Sequence, residues 1–446
     1  MKDMRSDGAE GVEGAEGVEG AETALRLPRV VMPLAPANAA APMAVPWRVI
    51  ALGALLPWSV SRLAYLLLTP LAGILPQFPG STRGPGFLGV WQRFDTNWYI
   101  SIATYGYHIP QQIAFFPFFP ALIKLFSFLT GGNMLVAALL VSNLSALAAL
   151  IAVGGFAAWE ARDAGMARWT MLALLIYPWS FFLVAAYTEG LFITFSALCL
   201  LFARQGRWRW AGVMALLAGA TRPTGAALII PLAWEWLRQR GLLQPEQWRA
   251  LLRAGRLQVA HHWLLNLWSA ARTHWQGVLA VAAVPAFILG LGVFAGIHFH
   301  HPLLIVNVRR DYWGLVSMPV WVSFPREVIG IFRAPLGGWK QTVMVLDVLC
   351  LVAATGAVIA LARRMPIMYT LYMLGLIYLC VAQPAAPPAT QVYQGPGRYL
   401  MASIPLFPAL GVVLERHPRW RVALICVGLA LQCYLGMRFM TGKLME

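Results

Sequence analysis

From residue 48 onward the chain alternates between apolar runs and short polar or basic stretches. The runs at 48–71, 134–159, 277–297, 340–362 and 420–439 are long enough to cross a hydrocarbon core, which takes about 20 residues per helix. Shorter runs lie at 169–186, 190–204, 207–221, 224–238, 366–383 and 398–415. The pattern predicts an all-α polytopic membrane protein, a bundle of about eleven transmembrane helices. The short runs turn at Tyr187–Gly190 and Thr221–Gly225, so these turns are expected within the membrane rather than above it.

Arginines orient the bundle. Clusters at Arg162 and Arg168, at Arg204 to Arg209, from Arg238 to Arg272, at Arg363 and Arg364, and at Arg416 to Arg421 mark cytoplasmic loops. Outer segments then fall at 72–133, 298–339 and 384–397, the first of them long. The Trp-bearing basic stretch 239–276 is expected to lie along the anionic inner leaflet. Residues 114–130 are apolar enough to enter the membrane, but a span there would reverse every later loop. An interfacial helix or a re-entrant element, turning at Pro117 and Pro120, is expected instead.

Composition agrees: 59% of the 446 residues are hydrophobic and 12% charged, against about 25% charged in soluble domains. The net charge of +16 resides in the loop arginines, which argues for membrane topology and against nucleic-acid binding. All 5 cysteines fall in apolar runs and imply no disulfide framework. The first 46 residues read as a separate region. Their acidic repeat, GAEGVEGAEGVEGAE, cannot bury a core and is expected to be disordered. Residues 47–446 are expected to form one integral-membrane domain.

That tail holds a large share of the 18 acidic residues, so each remaining acid stands out. Asp95 sits among Trp91, Phe94, Trp98 and Tyr99 in the first outer segment. It reads either as an N-cap for a helix starting at Thr96 or as a sugar-site acid, with aromatic planes against a pyranose and the carboxylate on a hydroxyl proton. On a continuous helix, Trp91, Asp95 and Trp98 would share one face. Glu189, in YTEG, reads as a helix-end residue or a site acid. Asp311, in NVRRDYWG, reads as a local ion pair or a site acid. Asp347 lies inside a span, where an ionisable group is a functional candidate by default. Arg222 and Arg398 adjoin Pro or Gly at span edges. Each suits phosphate, which a planar guanidinium grips well, or snorkels to lipid head groups. His298, His300 and His301 match no strong ligand spacing, so neither a metal nor another cofactor is expected. No P-loop, GxSxG, HExxH or DxD motif is present.

The stretch RFDTNWYISIATYGY, Arg93 to Tyr107, followed by AFFPFFPALI, resembles the first outer loop of the PIG-V type mannosyltransferases. AAYTEGLF, ATRPTG and GRYLMASIPLF are similar to later elements of the same family, in the same order over about residues 48–415. The resemblance implies a GT-C membrane glycosyltransferase. Such an enzyme transfers a sugar, typically mannose, with inversion from a polyprenyl-phosphate donor to a hydroxyl of a glycan or lipid acceptor on the non-cytoplasmic side. It implies Asp95 as the base, with Arg93, Trp98, Tyr99, Glu189, Arg222, Asp311 and Arg398 as candidates for binding donor or acceptor. The membrane is then the plasma membrane, or that of the ER in a eukaryote. The chemistry agrees: a phosphate ester leaves readily and needs cations, so one acid suffices where a glycosidase uses two. The alternative is a transporter or flippase. Such folds tend to show repeats and a midplane site, and no repeat is visible outside the tail.

The arginine rule yields a direct test. A cysteine introduced at position 311 should react with a membrane-impermeant thiol reagent only from the non-cytoplasmic side. Labelling only from the cytoplasmic side would reject the topology.

Overall fold

The computed structural model describes residues 44–79, 81, 83–243, 256–389, 391–393 and 395–443. The acidic repeat lies outside the described residues, as does part of the basic stretch 239–276. Among the described residues the regular structure is helical, apart from an isolated bridge between Leu315 and Ala385. Five helices are long and apolar enough to cross a membrane: α1 (Trp47–Ile74), α4 (Met134–Ala161), α10 (Trp275–Phe299), α13 (Trp339–Leu361) and α17 (Pro418–Met440). The chain is thus an all-α, multi-pass membrane protein.

Each of the eleven expected segments contains a helix, but several are broken. Residues 169–186 give α5 (Met166–Leu175) and, after Pro178, a 3-10 turn at Ser180–Leu183. Residues 207–238 give α7 (Trp208–Thr221), a 3-10 turn at Pro223–Leu228, and α8 (Ile229–Gln239). Residues 398–415 give the short α15 (Pro396–Leu400) and α16 (Leu406–Arg416), parted at Pro405. Proline explains each break, since it has no N–H and disfavours helix in the residue before it. α6 (Glu189–Arg204) and α14 (Ile367–Val381) are unbroken.

The stretch 114–130 folds as α3 (Phe118–Phe126) and a 3-10 turn at Ser127–Thr130. Nine residues rise only about 14 Å, half of a hydrocarbon core. α3 packs on α4 and on α2 (Asp95–Tyr105), while Phe128 and Leu129 are exposed. The remaining helices are α9 (Arg256–Thr273), α11 (Leu304–Trp313) and α12 (Val320–Arg333).

α4, α6, α7 and α10 pack in sequence, with α5 between α4 and α16. Small residues permit this closeness, as expected where lipid provides no hydrophobic drive between helices. A Cβ on Gly190 would collide with the Ser145 hydroxyl and the Ala146 backbone of α4, and one on Gly212 would sit 3.2 Å from Ala280. α6 carries acid at its first residue and base at its last. Glu189 joins Arg222 and Arg398, and Arg204 joins Glu160 and Glu235. Two polar clusters therefore stand about 24 Å apart along one helix.

Gly190→Val should destabilise the α4–α6 contact by roughly 1–3 kcal/mol, the usual cost of overpacking. Gly290→Ala, where a Cβ meets nothing within 4 Å, should not. Thermal unfolding in detergent compares them; equal midpoints for both variants would refute the close-packing account.

Candidate active site

Asp95 is delivered by a pinned and strained segment. A 3-10 turn at Phe87–Trp91 ends with the Trp91 indole buried, its N–H donating to the Thr69 hydroxyl at 3.0 Å. The buried Arg93 guanidinium donates to the Met440 carbonyl at 3.0 and 3.2 Å, to the Ser81 hydroxyl at 3.1 Å, and to Gln77. Phe94 then adopts φ 47°, ψ −122°, which side chains disfavour. Its ring is held 5.6 Å from that of Phe439. Fixed on both sides, this kink starts α2 at Asp95.

The capping reading of Asp95 therefore fails. The helix starts one residue earlier than expected, Phe94 is its N-cap, and no side chain caps it. The carboxylate turns away, and its Oδ2 accepts from Arg398 Nη2 at 3.0 Å. Its Oδ1 accepts from none of the described residues. The kink also separates Trp91 from α2, so Trp91, Asp95 and Trp98 do not share a helical face.

Three broken segments supply the partners. Glu189 opens α6 after the turn at Ser180–Leu183. Arg222 follows α7 in extended conformation at φ −152°, ψ 150°. Arg398 lies in α15 behind Gly395, whose φ of 64° suits glycine. One oxygen of Glu189 takes both arginines: Arg398 Nε at 2.5 Å, and Arg222 Nη1. Aromatic faces cover the cations. Arg398 lies 4.5 Å from the Tyr187 ring centre and 4.9 Å from that of Phe182, and Arg222 lies 5.1 Å from that of Tyr399. The side chains of Glu189, Arg222 and Arg398 are 2%, 8% and 8% exposed, against 19% for Asp95. Of the two acids, Asp95 is the one a ligand can reach.

A cavity of about 1120 Å³ adjoins this cluster. Asp95, Tyr99, Arg222, Arg398 and Tyr399 are among its lining residues. Val306, Val320 and Trp321 also line it and are strongly exposed, so the cavity has an apolar margin at the protein surface. Arg309 lines the cavity too, donating to Gln383 at 3.2 Å and to the Tyr399 hydroxyl at 3.4 Å.

The structure thus gathers Asp95, Tyr99, Glu189, Arg222 and Arg398, with Glu189 behind the wall. Three sequence candidates stand apart from the cavity lining. Arg93 pins the kink. Trp98 stacks on Phe115 at 5.5 Å and supports the wall. Asp311 is exposed and paired with Arg310 at 2.9 Å. Arg309 went unnoticed in sequence, although helical spacing groups it with Ile305 and Trp313 and separates it from Asp311. Asp347, buried in α13, also lines the cavity, and its Oδ1 accepts from the Gly397 N–H at 3.4 Å. Among the described residues no group of three or more His, Cys, Asp or Glu is placed to hold a metal. His298 instead meets the Tyr107 carbonyl at 2.6 Å and stacks on Phe294.

No protein-family model matches the chain, and no curated protein sequence matches it. Among solved structures it is similar to ArnT from Cupriavidus metallidurans bound to undecaprenyl phosphate, with 17% identity and a TM-score of 0.46 over 87% of this chain. It is also similar to the Archaeoglobus fulgidus oligosaccharyltransferase complexed with zinc and sulfate, with 12% identity and a TM-score of 0.39 over 86% of this chain. The chain spans 64% of the ArnT chain and 53% of the oligosaccharyltransferase chain.

Removing the shared acid should damage the protein more than removing the reachable one. Glu189→Gln leaves two buried guanidinium groups short of a counter-charge, which typically costs about 3–5 kcal/mol. Asp95→Asn removes one more exposed contact. Unfolding midpoints of the purified variants should fall in that order; a Glu189→Gln protein as stable as Asp95→Asn would contradict it.

Proposed function

We propose that the chain is a membrane glycosyltransferase that moves a sugar from a polyprenyl-phosphate donor to an acceptor hydroxyl on the non-cytoplasmic side. Asp95 is the base, and mannose, indicated by the PIG-V type motifs, is the sugar. The observation that carries this reading is a reachable carboxylate with one uncommitted oxygen, placed beside arginines in a cavity with an exposed apolar margin. A general base must come within about 3 Å of the proton it takes. Asp95 Oδ1 is available for an acceptor hydroxyl, while Arg398 holds Oδ2 and fixes the carboxylate plane.

The leaving phosphate needs positive charge. Asp95 and Glu189 offset Arg222 and Arg398, so that cluster is close to neutral as a whole. Arg309 has no carboxylate within ion-pair distance among the described residues and lines the same cavity. Its fork of donors suits a phosphate. The apolar margin at Val306, Val320 and Trp321 suits a prenyl chain entering from lipid. The phosphate role first assigned to Arg222 or Arg398 therefore passes to Arg309, with Arg398 setting the base.

Two substitutions separate these roles in an assay with polyprenyl-phosphate mannose and candidate acceptors. Asp95→Asn should insert and fold but lose roughly 10²–10⁴ in kcat. Arg309→Gln should raise the donor KM about ten-fold or more, one charge-assisted contact's worth, with a smaller change in kcat. Near-normal turnover by a folded Asp95→Asn protein would exclude Asp95 as the base.

A further inference from the structure

The loop that carries Arg398 is held by a buried acid that the proposed reaction does not use. Glu327 lies on the inner face of α12 and is fully buried. Its Oε2 accepts from the backbone N–H groups of Val392 at 2.6 Å and Tyr393 at 3.2 Å. One turn earlier, the Ser323 hydroxyl meets the Tyr393 hydroxyl at 2.9 Å. Further along the same loop, Asp347 accepts from Gly397 N–H, and the Tyr177 hydroxyl donates to the Gly397 carbonyl at 2.7 Å. Gly397 also lies so close to the Trp179 ring that a Cβ there would collide with it. Arg398 follows at once. The outer face of α12 is different in kind: Trp321, Ile329 and Phe332 are exposed.

We infer that Glu327 is a positioning residue: by clamping the backbone at Val392 and Tyr393 it fixes the loop and, through it, the place of Arg398 against Glu189 and Asp95. A structural carboxylate with no further consequence needs only to be satisfied. Here both contacts fall on the chain five and six residues before the cation that orients the proposed base. Oε2 can accept both N–H groups whether the carboxyl is ionised or neutral.

Burial pushes the Glu327 carboxyl up to about 7, against its two backbone donors and the Arg326 charge. The charged or titratable groups facing it are Arg326 on its own helix, the Tyr393 hydroxyl of the loop and Asp347 on α13. The closed loop therefore favours the protonated carboxyl: the clamp is at full strength below the ordinary carboxylate range and weakens as the pH rises through about 7.

The test compares the full-length wild type with Glu327→Ala, which removes the acceptor, in nanodiscs between pH 6 and 8. Amide exchange over residues 391–401, corrected for intrinsic rates, reads the clamp directly. The variant should lose protection at every pH by about five-fold or more, two backbone donors left without an acceptor. The wild type should lose it only on the alkaline side. Ser323→Ala, which frees Tyr393 without touching the carboxyl, should loosen the loop and keep the pH dependence. The step to Arg398 rests on the glycosyltransferase reading and is read by kinetics: kcat should fall with the loss of protection, because Arg398 orients Asp95, while the donor KM changes little. Unchanged protection in Glu327→Ala overturns the clamp, as does a loss confined to residues 392–393 that leaves 396–400 protected. If the wild type neither binds undecaprenyl phosphate nor uses its mannosyl ester, the functional reading falls and the exchange data alone decide the clamp.

Discussion

Two guanidinium groups buried deep in an apolar protein need anions, and one carboxylate, Glu189, meets both. Charges removed from water carry penalties of several kcal/mol each unless paired and hydrogen-bonded. Arg222 cannot leave Glu189 without exposing a bare charge to a low-dielectric interior, and Arg398 would keep only Asp95. The ends of α6, α7 and α15 are therefore tied at one point. Asp95 joins through Arg398, which also lies against the Tyr187 and Phe182 rings. Much else in the fold serves to bring these four chain segments to that point.

That requirement explains why the helices break where they do. A continuous helix satisfies its own backbone and points side chains sideways. It cannot present a cation at its end and then turn back. The segments 176–188, 222–228 and 401–405 interrupt helices beside the cluster, and each contains or follows a proline. Irregular backbone at membrane depth is tolerated where it is buried in protein or lines a cavity. Here the Ser142 hydroxyl meets the Tyr187 backbone at both its N–H and its carbonyl, and Tyr177 serves the Gly397 carbonyl. The Phe94 kink is the same solution in the first loop.

Hydropathy made the long helices legible, because a 20-residue apolar run has few other outcomes in lipid. The short runs were legible as helices but not as broken ones, since their prolines also fit a tilted or kinked span. Asp95, Glu189, Arg222 and Arg398 stood out because charge is rare in so apolar a chain. Their convergence was not legible: Asp95 and Arg398 are 303 residues apart, and no local pattern links them. Arg309 was hidden by its neighbour. Beside Arg310 and Asp311 it carried no signal of its own, and only the turn of α11 sends it to the cavity and the other two to the surface. The capping expectation failed for a related reason. Local propensity favours Asp as a cap, but a buried arginine competes for the same carboxylate.

Two acids share the arginines, yet their surroundings divide the chemistry between them. Glu189 is enclosed and bonded to two cations through one oxygen. A proton delivered to it would weaken both pairs, so it suits a fixed counter-charge and is poorly placed to turn over. Asp95 has one oxygen held and one uncommitted, at the edge of a large cavity. As the base of the proposed reaction, Asp95 could take a proton and leave Arg398 still paired with Glu189, so its charge would change without releasing its support. One reactive acid suffices for the proposed transfer from a phosphate ester, and Glu189 is then needed only as a fixed counter-charge. The leaving group departs as an anion, and the protein needs to accept only the one proton lost by the acceptor.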